Sequence, residues 1–321
     1  MMRKESAGER GNVTGLARLP KGGHSMCGPT FPAVLTTILC FALCLGSSCH
    51  ASPPRAVEMV RAELLTGCAF LSDGSGILVS GKGDTNREIR LVTFAEREER
   101  NGETLWLNQR SFVTWGMNPV SFGTRMLFVR RGSAEGGLWV HDFTGGDPVQ
   151  VRRDPFVGLP PAISADGSLI LCYRWAGRSK RIGTVDPATG KFASIPGNDM
   201  SQPALTVDGR QLLFVREGQV WLRQLPDGKP DEDRKLTALE VECGWPTWSP
   251  RGDLIAFTTM NAEKRGGIGL LKPGEMQVRW LVENLNEPRC PVFSPDGRQL
   301  AFIARTDERP QDDVLWVMGV E

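Results

Sequence analysis

The chain has 321 residues, with 38 Lys and Arg against 37 Asp and Glu and a formal net charge of +1. That balance lacks the basic footprint of a phosphate-tracking protein, so no nucleic-acid partner is expected. The chain's length allows one large or two ordinary folded domains.

The amino end differs in kind from the rest. Residues 31–46, FPAVLTTILCFALCLG, carry no charge and run into the small residues Ser47, Ser48, Cys49, His50 and Ala51. A bilayer-spanning helix needs about 20 apolar residues; this shorter run suits the h-region of a secretory signal. The sequence predicts a leader over 1–51, with the signal peptide proper at about 26–51, and a folded domain over 52–321. The expected location is then periplasmic or secreted. Cleavage fits after Ser48 or after Ala51. Acylation at Cys49, a true start at Met26 and an uncleaved anchor stay open, and contact with a membrane is expected only through Cys49 or the leader. Beyond the leader the chain holds 33 basic and 35 acidic residues, a net charge of −2.

From residue 56 onward the elements repeat. Ala56 to Thr66 reads as one strand ending in Leu65-Thr66. Six copies of a phrase follow, each an apolar run, a glycine turn and a second apolar run: GCAFLSDGSGILVSG at 67–81, NPVSFGTRMLFVR at 118–130, PPAISADGSLILCYR at 160–174, QPALTVDGRQLLFVR at 202–216, WPTWSPRGDLIAFTT at 245–259 and CPVFSPDGRQLAFIA at 290–304. The turn glycines Gly74, Gly123, Gly167, Gly209, Gly252 and Gly297 are 49, 44, 42, 43 and 45 residues apart. A period in the forties with several short strands per period is the mark of a β-propeller blade. A third strand with a central aromatic follows in several copies (Leu138-Trp139-Val140, Val220-Trp221-Leu222, Leu315-Trp316-Val317), and a fourth falls near Leu236-Thr237. Continuous apolar runs such as Leu254-Ile255-Ala256-Phe257 fit strands buried on both faces. The last copy stops after its third strand, and Ala56 to Thr66 supplies the missing fourth. The expected fold is all-β: a six-bladed β-propeller of four-stranded antiparallel blades, closed by an N-terminal strand that completes the last blade.

The turn Phe293-Ser294-Pro295-Asp296-Gly297 with Leu300-Ala301-Phe302, and Trp248-Ser249-Pro250-Arg251-Gly252 with Ile255-Ala256-Phe257, resemble the Pro-Asp-Gly repeats of the TolB-like propeller family. The resemblance covers all six copies and is specific in those two; Arg251 and Phe122 stand where the turn aspartate belongs. It implies a rigid ring that presents loops to a partner. TolB itself has an additional α/β domain ahead of its propeller, for which no room is expected between residue 51 and the first strand.

The candidate chemistry is sparse. No G-x-S-x-G nucleophile elbow occurs, and beyond the leader only His141 remains, expected at the surface, so no catalytic residue, metal or cofactor is predicted. Asp73, Asp166, Asp208 and Asp296 recur at one turn; a ring of calcium ligands is weighed against aspartates that bond their own turns, and the second is preferred. Asp231-Glu232-Asp233 and Asp312-Asp313 read as solvated loops. Arg130, Arg174, Arg216 and Arg305 follow the second strand of four copies, where a cation cluster would attract an acidic peptide or glycan and the plainer reading is solubilising charge. Trp115, Trp175 and Trp245 lie near strand ends, where an indole anchors a partner or packs between blades. Of eight cysteines, four precede residue 50, leaving Cys68, Cys172, Cys243 and Cys290. Closing the ring makes Cys68 and Cys290 neighbours, the pair to test first against the alternative of buried free thiols. The expected function is a monomeric, exported, non-catalytic module that binds an envelope protein or peptide. The alternative is a channel-site carbohydrate or small-molecule binder, or an enzyme of lyase or hydrolase type.

Overall fold

The computed structural model describes residues 57–321 apart from 83–86, 95–96, 101–102, 107–108, 115, 133 and 159. The leader, with Cys49, lies outside the described residues. Among the described residues no helix is long and apolar enough to cross a membrane. The helical content among them is one 3-10 turn, Pro230–Glu232.

Strand β1 (Val57–Ala62) precedes a first four-stranded sheet of β2 (Leu65–Phe70), β3 (Gly76–Lys82), β4 (Arg87–Thr93) and β7 (Gln109–Thr114), while β5 (Arg97–Arg100) and β6 (Glu103–Trp106) form a separate hairpin. The second sheet is β8 (Gly116–Phe122), β9 (Arg125–Arg130), β10 (Gly137–Asp142) and β11 (Val149–Arg153). The third is β12 (Ala162–Ile163), β13 (Ile170–Ala176), β14 (Ser179–Val185) and β15 (Phe192–Ser194); the fourth is β16 (Ser201–Leu205), β17 (Gln211–Arg216), β18 (Gln219–Gln224) and β19 (Arg234–Lys235). The remaining strands are β20 (Glu242–Trp248), β21 (Ile255–Met260), β22 (Arg265–Leu271), β23 (Arg279–Phe293), β24 (Gln299–Arg305) and β25 (Asp313–Gly319). They make one seven-stranded sheet in chain order, with β1 added beyond β25.

The expectation of six separate four-stranded blades is thereby corrected: four sheets stand alone and the last two repeats share a fifth. The cause is the 15-residue β23, which pairs with β22 over Arg279–Asn286 and continues directly into pairing with β24 over Asn286–Phe293. At the far edge, β1 pairs antiparallel with β25, Val57 opposite Val317 and Ala62 opposite Asp313. A strand from the start of the domain thus covers an edge that would otherwise present unpaired backbone groups.

The turns explain why the hairpins form where they do. Asp166 accepts the Ser168 N–H at 3.0 Å and the Ser164 hydroxyl at 2.6 Å, and Asp208 and Asp296 repeat the pattern with Thr206 and Ser294. The glycine that follows sits at φ +76° in Gly167 and +71° in Gly297, a region that side-chain-bearing residues disfavour. Where Arg251 replaces the aspartate, Asp253 accepts the Ser249 hydroxyl at 2.7 Å instead.

Neighbouring residues of each second strand feed opposite apolar layers. Phe128 joins Leu78 and Ile89 of the first sheet, while Leu127 and Val129 join Ile170 and Cys172 of the third. Phe214 packs with Leu171 and Ile182, and Leu213 with Ile255 and Phe257. Phe302 packs with Ile268 and Leu270, and Ile303 with Ile77 and Val79 of the first sheet, so the last repeat meets the first. Five residues after the turn glycine, Phe128, Phe214, Phe257 and Phe302 are each fully buried. Each contributes roughly 1.5–3 kcal/mol by leaving water. Three of them face a tryptophan across the hairpin, Trp139, Trp221 and Trp316; in the fourth case Gly269 lies opposite Phe257, and a Cβ there would meet the ring at 2.7 Å.

Candidate functional site

The first strand of every repeat contributes to one cavity of about 160 Å³. Six residues before the turn glycine, or four in the shortened second copy, stand Cys68, Pro119, Pro161, Pro203, Pro246 and Pro291, and all six line it. A proline cannot donate to the neighbouring strand, so the strand must step around it. It does so with a bulge: two residues oppose one between Met117 and Val120, Ser201 and Ala204, Gly244 and Thr247, and Arg289 and Val292. The residue ahead of each of these prolines sits at positive φ: Asn118 at 47°, Gln202 at 53°, Trp245 at 49° and Cys290 at 52°. Left-handed backbone at non-glycine residues costs on the order of 1 kcal/mol or more, and here it recurs at the cavity wall, where bulges re-aim side chains.

The wall is neutral. Among the described residues its lining holds no Asp, Glu, Lys, Arg or His, and burial pushes the Cys290 thiol up to about 12 and the Cys68 thiol well above its usual value. Gln202 accepts the Trp245 backbone N–H at 2.6 Å. Asn118 is 3% exposed; its N–H donates to the Ser80 hydroxyl at 3.1 Å and its amide nitrogen lies 3.9 Å from the Cys290 sulfur. The Asn118 Oδ1 has no hydrogen-bond partner among the described residues. That oxygen is sealed as well as unpaired, a local cost to the fold at the cavity wall. At about 160 Å³ the space admits one side chain or a small ring.

The predicted arginines lie elsewhere and are engaged. Arg130 pairs with Glu135 at 3.1 Å, Arg174 with Asp154 at 3.2 Å, Arg216 with Asp233 at 2.8 Å, and Arg305 with Asp313 at 3.0 Å and Glu287 at 2.9 Å. Arg130 and Arg216 also lie 4.2 and 3.8 Å from the ring centres of Trp139 and Trp221. Their partners overturn the reading of Asp233 and Asp313 as solvated: both carboxylates are fully buried. Asp233 also holds the buried Arg223 at 2.6 Å. Asp313 accepts the Leu65 N–H at 2.8 Å and pairs with Arg289, which donates to the Leu65 carbonyl at 2.9 Å. One carboxylate thus ties β2, β23, β24 and β25 together.

Of the tryptophans, Trp245 reaches the cavity, Trp115 lies outside the described residues, and Trp175 is 45% exposed beside Phe156, 58% exposed, with Lys180 5.0 Å from its ring centre. His141, expected at the surface, is buried and lies edge-on to Phe143 at 6.4 Å. Among the described residues no three His, Cys, Asp or Glu side chains gather as a metal site. The cavity was missed in the sequence because its prolines read as ordinary strand residues; their fixed offset from the turn glycine was the available signal.

All-β repeats whose first strands converge on one central cavity define a β-propeller-like protein. No family model matches the chain. It is 28% identical to a protein TolB homolog of Chlorobium luteolum over 194 residues, 60% of this chain and 34% of that one. A 67-residue stretch is 39% identical to the Tol-Pal system protein TolB of Gluconobacter oxydans, 20% of this chain and 14% of that one. Among solved structures, TolB from Acinetobacter baumannii superposes with a TM-score of 0.57 at 13% identity, covering 81% of this chain and 64% of the other. The chain therefore carries a TolB-like β-propeller fold, and its match spans about a third or less of the length of these curated relatives.

Proposed function

We propose that the chain is an exported, non-catalytic TolB-like propeller that binds a protein or an extended peptide of the cell envelope at its central cavity. The observation that carries this reading is the cavity: one position of the repeat, used six times, builds a neutral wall. Such a wall suits an apolar group and offers no acid or base for chemistry. One relative's name places that protein in the Tol-Pal system, which supports an envelope partner. In this reading the seven-stranded sheet is two blades joined through β23, making six in all; positive φ at Asn284, Glu287 and Cys290 and the six alternating apolar layers support that count. Residues 1–51 act as the export leader, the mature monomer is periplasmic or secreted, and Trp175 is a rim anchor.

The test is in-cell crosslinking of the tagged protein, recovery from the envelope fraction and identification of captured proteins by mass spectrometry. One stoichiometric partner, lost in Trp245→Ala and kept in Arg130→Gln, whose partner Glu135 is itself exposed, supports docking at the cavity. Loss in Arg130→Gln alone would move the interface to that end of the strands, and no partner in any form would overturn the proposal. The leader is checked on the same material: a first residue between Ser47 and Ser52 supports export with cleavage, and peptides spanning Arg3 to Lys21 would refute it.

A further inference from the structure

Two thiols meet where the last repeat closes on the first. Cys68 is on β2 and Cys290 on β23, 222 residues apart in sequence, and both belong to the apolar layer that joins the two repeats. The Cys68 sulfur lies 3.4 Å from the Cys290 carbonyl oxygen, and the Cys290 sulfur lies 3.6 Å from the Thr66 carbonyl oxygen, so each thiol rests against the other's strand. Both also line the central cavity, which gives a small oxidant a way in. The repeat departs from its own pattern here: Cys68 occupies the position where the five other copies carry proline, and Cys290 occupies the left-handed residue of the last bulge. Cys172 and Cys243 lie in two other apolar layers.

We propose that Cys68 and Cys290 are a redox pair, joined by exchange with a low-molecular-weight disulfide into a bond that fastens β2 to β23 across the closing seam. One of the two, as thiolate, attacks a sulfur of the oxidant and releases one small thiol, leaving a mixed disulfide on the protein. The second cysteine thiolate displaces the remaining small thiol. The protein pair gives up two protons and two electrons, and one oxidant disulfide becomes two thiols. Burial holds both thiols protonated near neutrality, so the exchange is slow there and speeds up as pH rises. The bond also recasts the cavity wall, because both sulfurs belong to it.

The experiment uses the full chain equilibrated with bis(2-hydroxyethyl) disulfide and 2-mercaptoethanol, a couple small enough for the cavity, then acid-quenched, unfolded, alkylated and peptide-mapped. The expected result is a cross-linked peptide pair containing Cys68 and Cys290, with Cys172 and Cys243 alkylated. The oxidised chain should melt several degrees above the reduced one, and the difference should vanish on reduction and in Cys68→Ala and Cys290→Ser. Alkylation of both Cys68 and Cys290 after equilibration, or pairing of either with any other cysteine, overturns the proposal. A Cys68–Cys290 bond without a change in melting temperature overturns the fastening of the seam. The map of the unaltered chain decides the pairing even if a variant fails to fold.

Discussion

Replacing Asp313 by Ala tests the seam most directly. Its fully buried carboxylate receives the Leu65 N–H, pairs with Arg305 and Arg289, and has no solvent to take its place. Removing it leaves a backbone donor open and the Arg289 side chain, 17% exposed, without its counter-charge. Breaking a buried ion pair by deleting one partner costs about 3–5 kcal/mol. Unfolding entropy scales at about 2.1 cal/mol/K per residue, so for a propeller of this size each kcal/mol lowers the melting temperature by about 2 °C. Asp313→Ala should therefore melt about 6–10 °C below the parent by calorimetry. Arg251→Ala is the control: its pair with Asp253 has side chains 61% and 50% exposed, and pairs of that kind are worth about 0–1 kcal/mol. If Asp313→Ala melts with the control, Asp313 does not tie the seam and the assignment of four strands to one carboxylate is wrong.

Other perturbations probe the turns, the cavity wall and the edge. The Ser164 hydroxyl and Ser168 hold Asp166 at about 2, and Thr144 and Arg125 hold Asp142 there too. Unfolded aspartate titrates near 3.9, so these carboxylates stabilise the fold above about pH 4 and lose that contribution as pH falls toward 2. Melting temperature should drop over that window, and less steeply in Asp166→Asn; an unchanged slope would refute the turn account. Gly67 has no room for a side chain, because a Cβ would stand 2.8 Å from the Asn118 Cα. Gly67→Ala should cost about 1–3 kcal/mol in denaturant unfolding, as other overpacked contacts do. Deleting residues 52–62 strips β1 from β25. The truncated chain should melt lower and self-associate in light scattering through the bared edge, whereas a monomer with the parental melt would show that the pairing contributes nothing.

The sequence carried the repeat because its signals are local. A turn aspartate two residues from the N–H it accepts, a glycine at positive φ and a phenylalanine five residues on are all set within one hairpin, so a single copy displays them. What brings distant residues together was harder to see. Asp233 and Asp313 look like loop charges in the sequence, and only the arrival of Arg216 and Arg223, or of Arg289, Arg305 and the Leu65 N–H, makes burial tolerable. The arginines near the ends of the second strands were visible, but their partners were not: Arg174 pairs with Asp154 and Arg305 with Glu287, each from an earlier strand or loop. The merging of the last two repeats also escaped, since the composition of β23 does not say whether a chain pauses between two hairpins or runs straight through.

The central cavity falls between these cases, and it shows how the fold divides its labour. Second and third strands bury aromatics on one face and aliphatic side chains on the other and make the propeller stiff. First strands give up regular pairing at a proline, and the bulge that results turns Asn118, Trp245 and Cys290 to the cavity wall. Because the proline fixes the bulge while the residue before it varies from copy to copy, the wall can change chemistry one position at a time, with Trp245 and Cys290 also packing in the layer that joins the last repeat to the first. Trp245 is only partly buried and faces the cavity, so Trp245→Ala is the probe of function and Asp313→Ala the probe of fold: the first should weaken capture of a partner while shifting the melting temperature less than the second. Equal losses of stability in the two variants would mean that the inner wall also supports the fold, and that binding cannot be varied there independently.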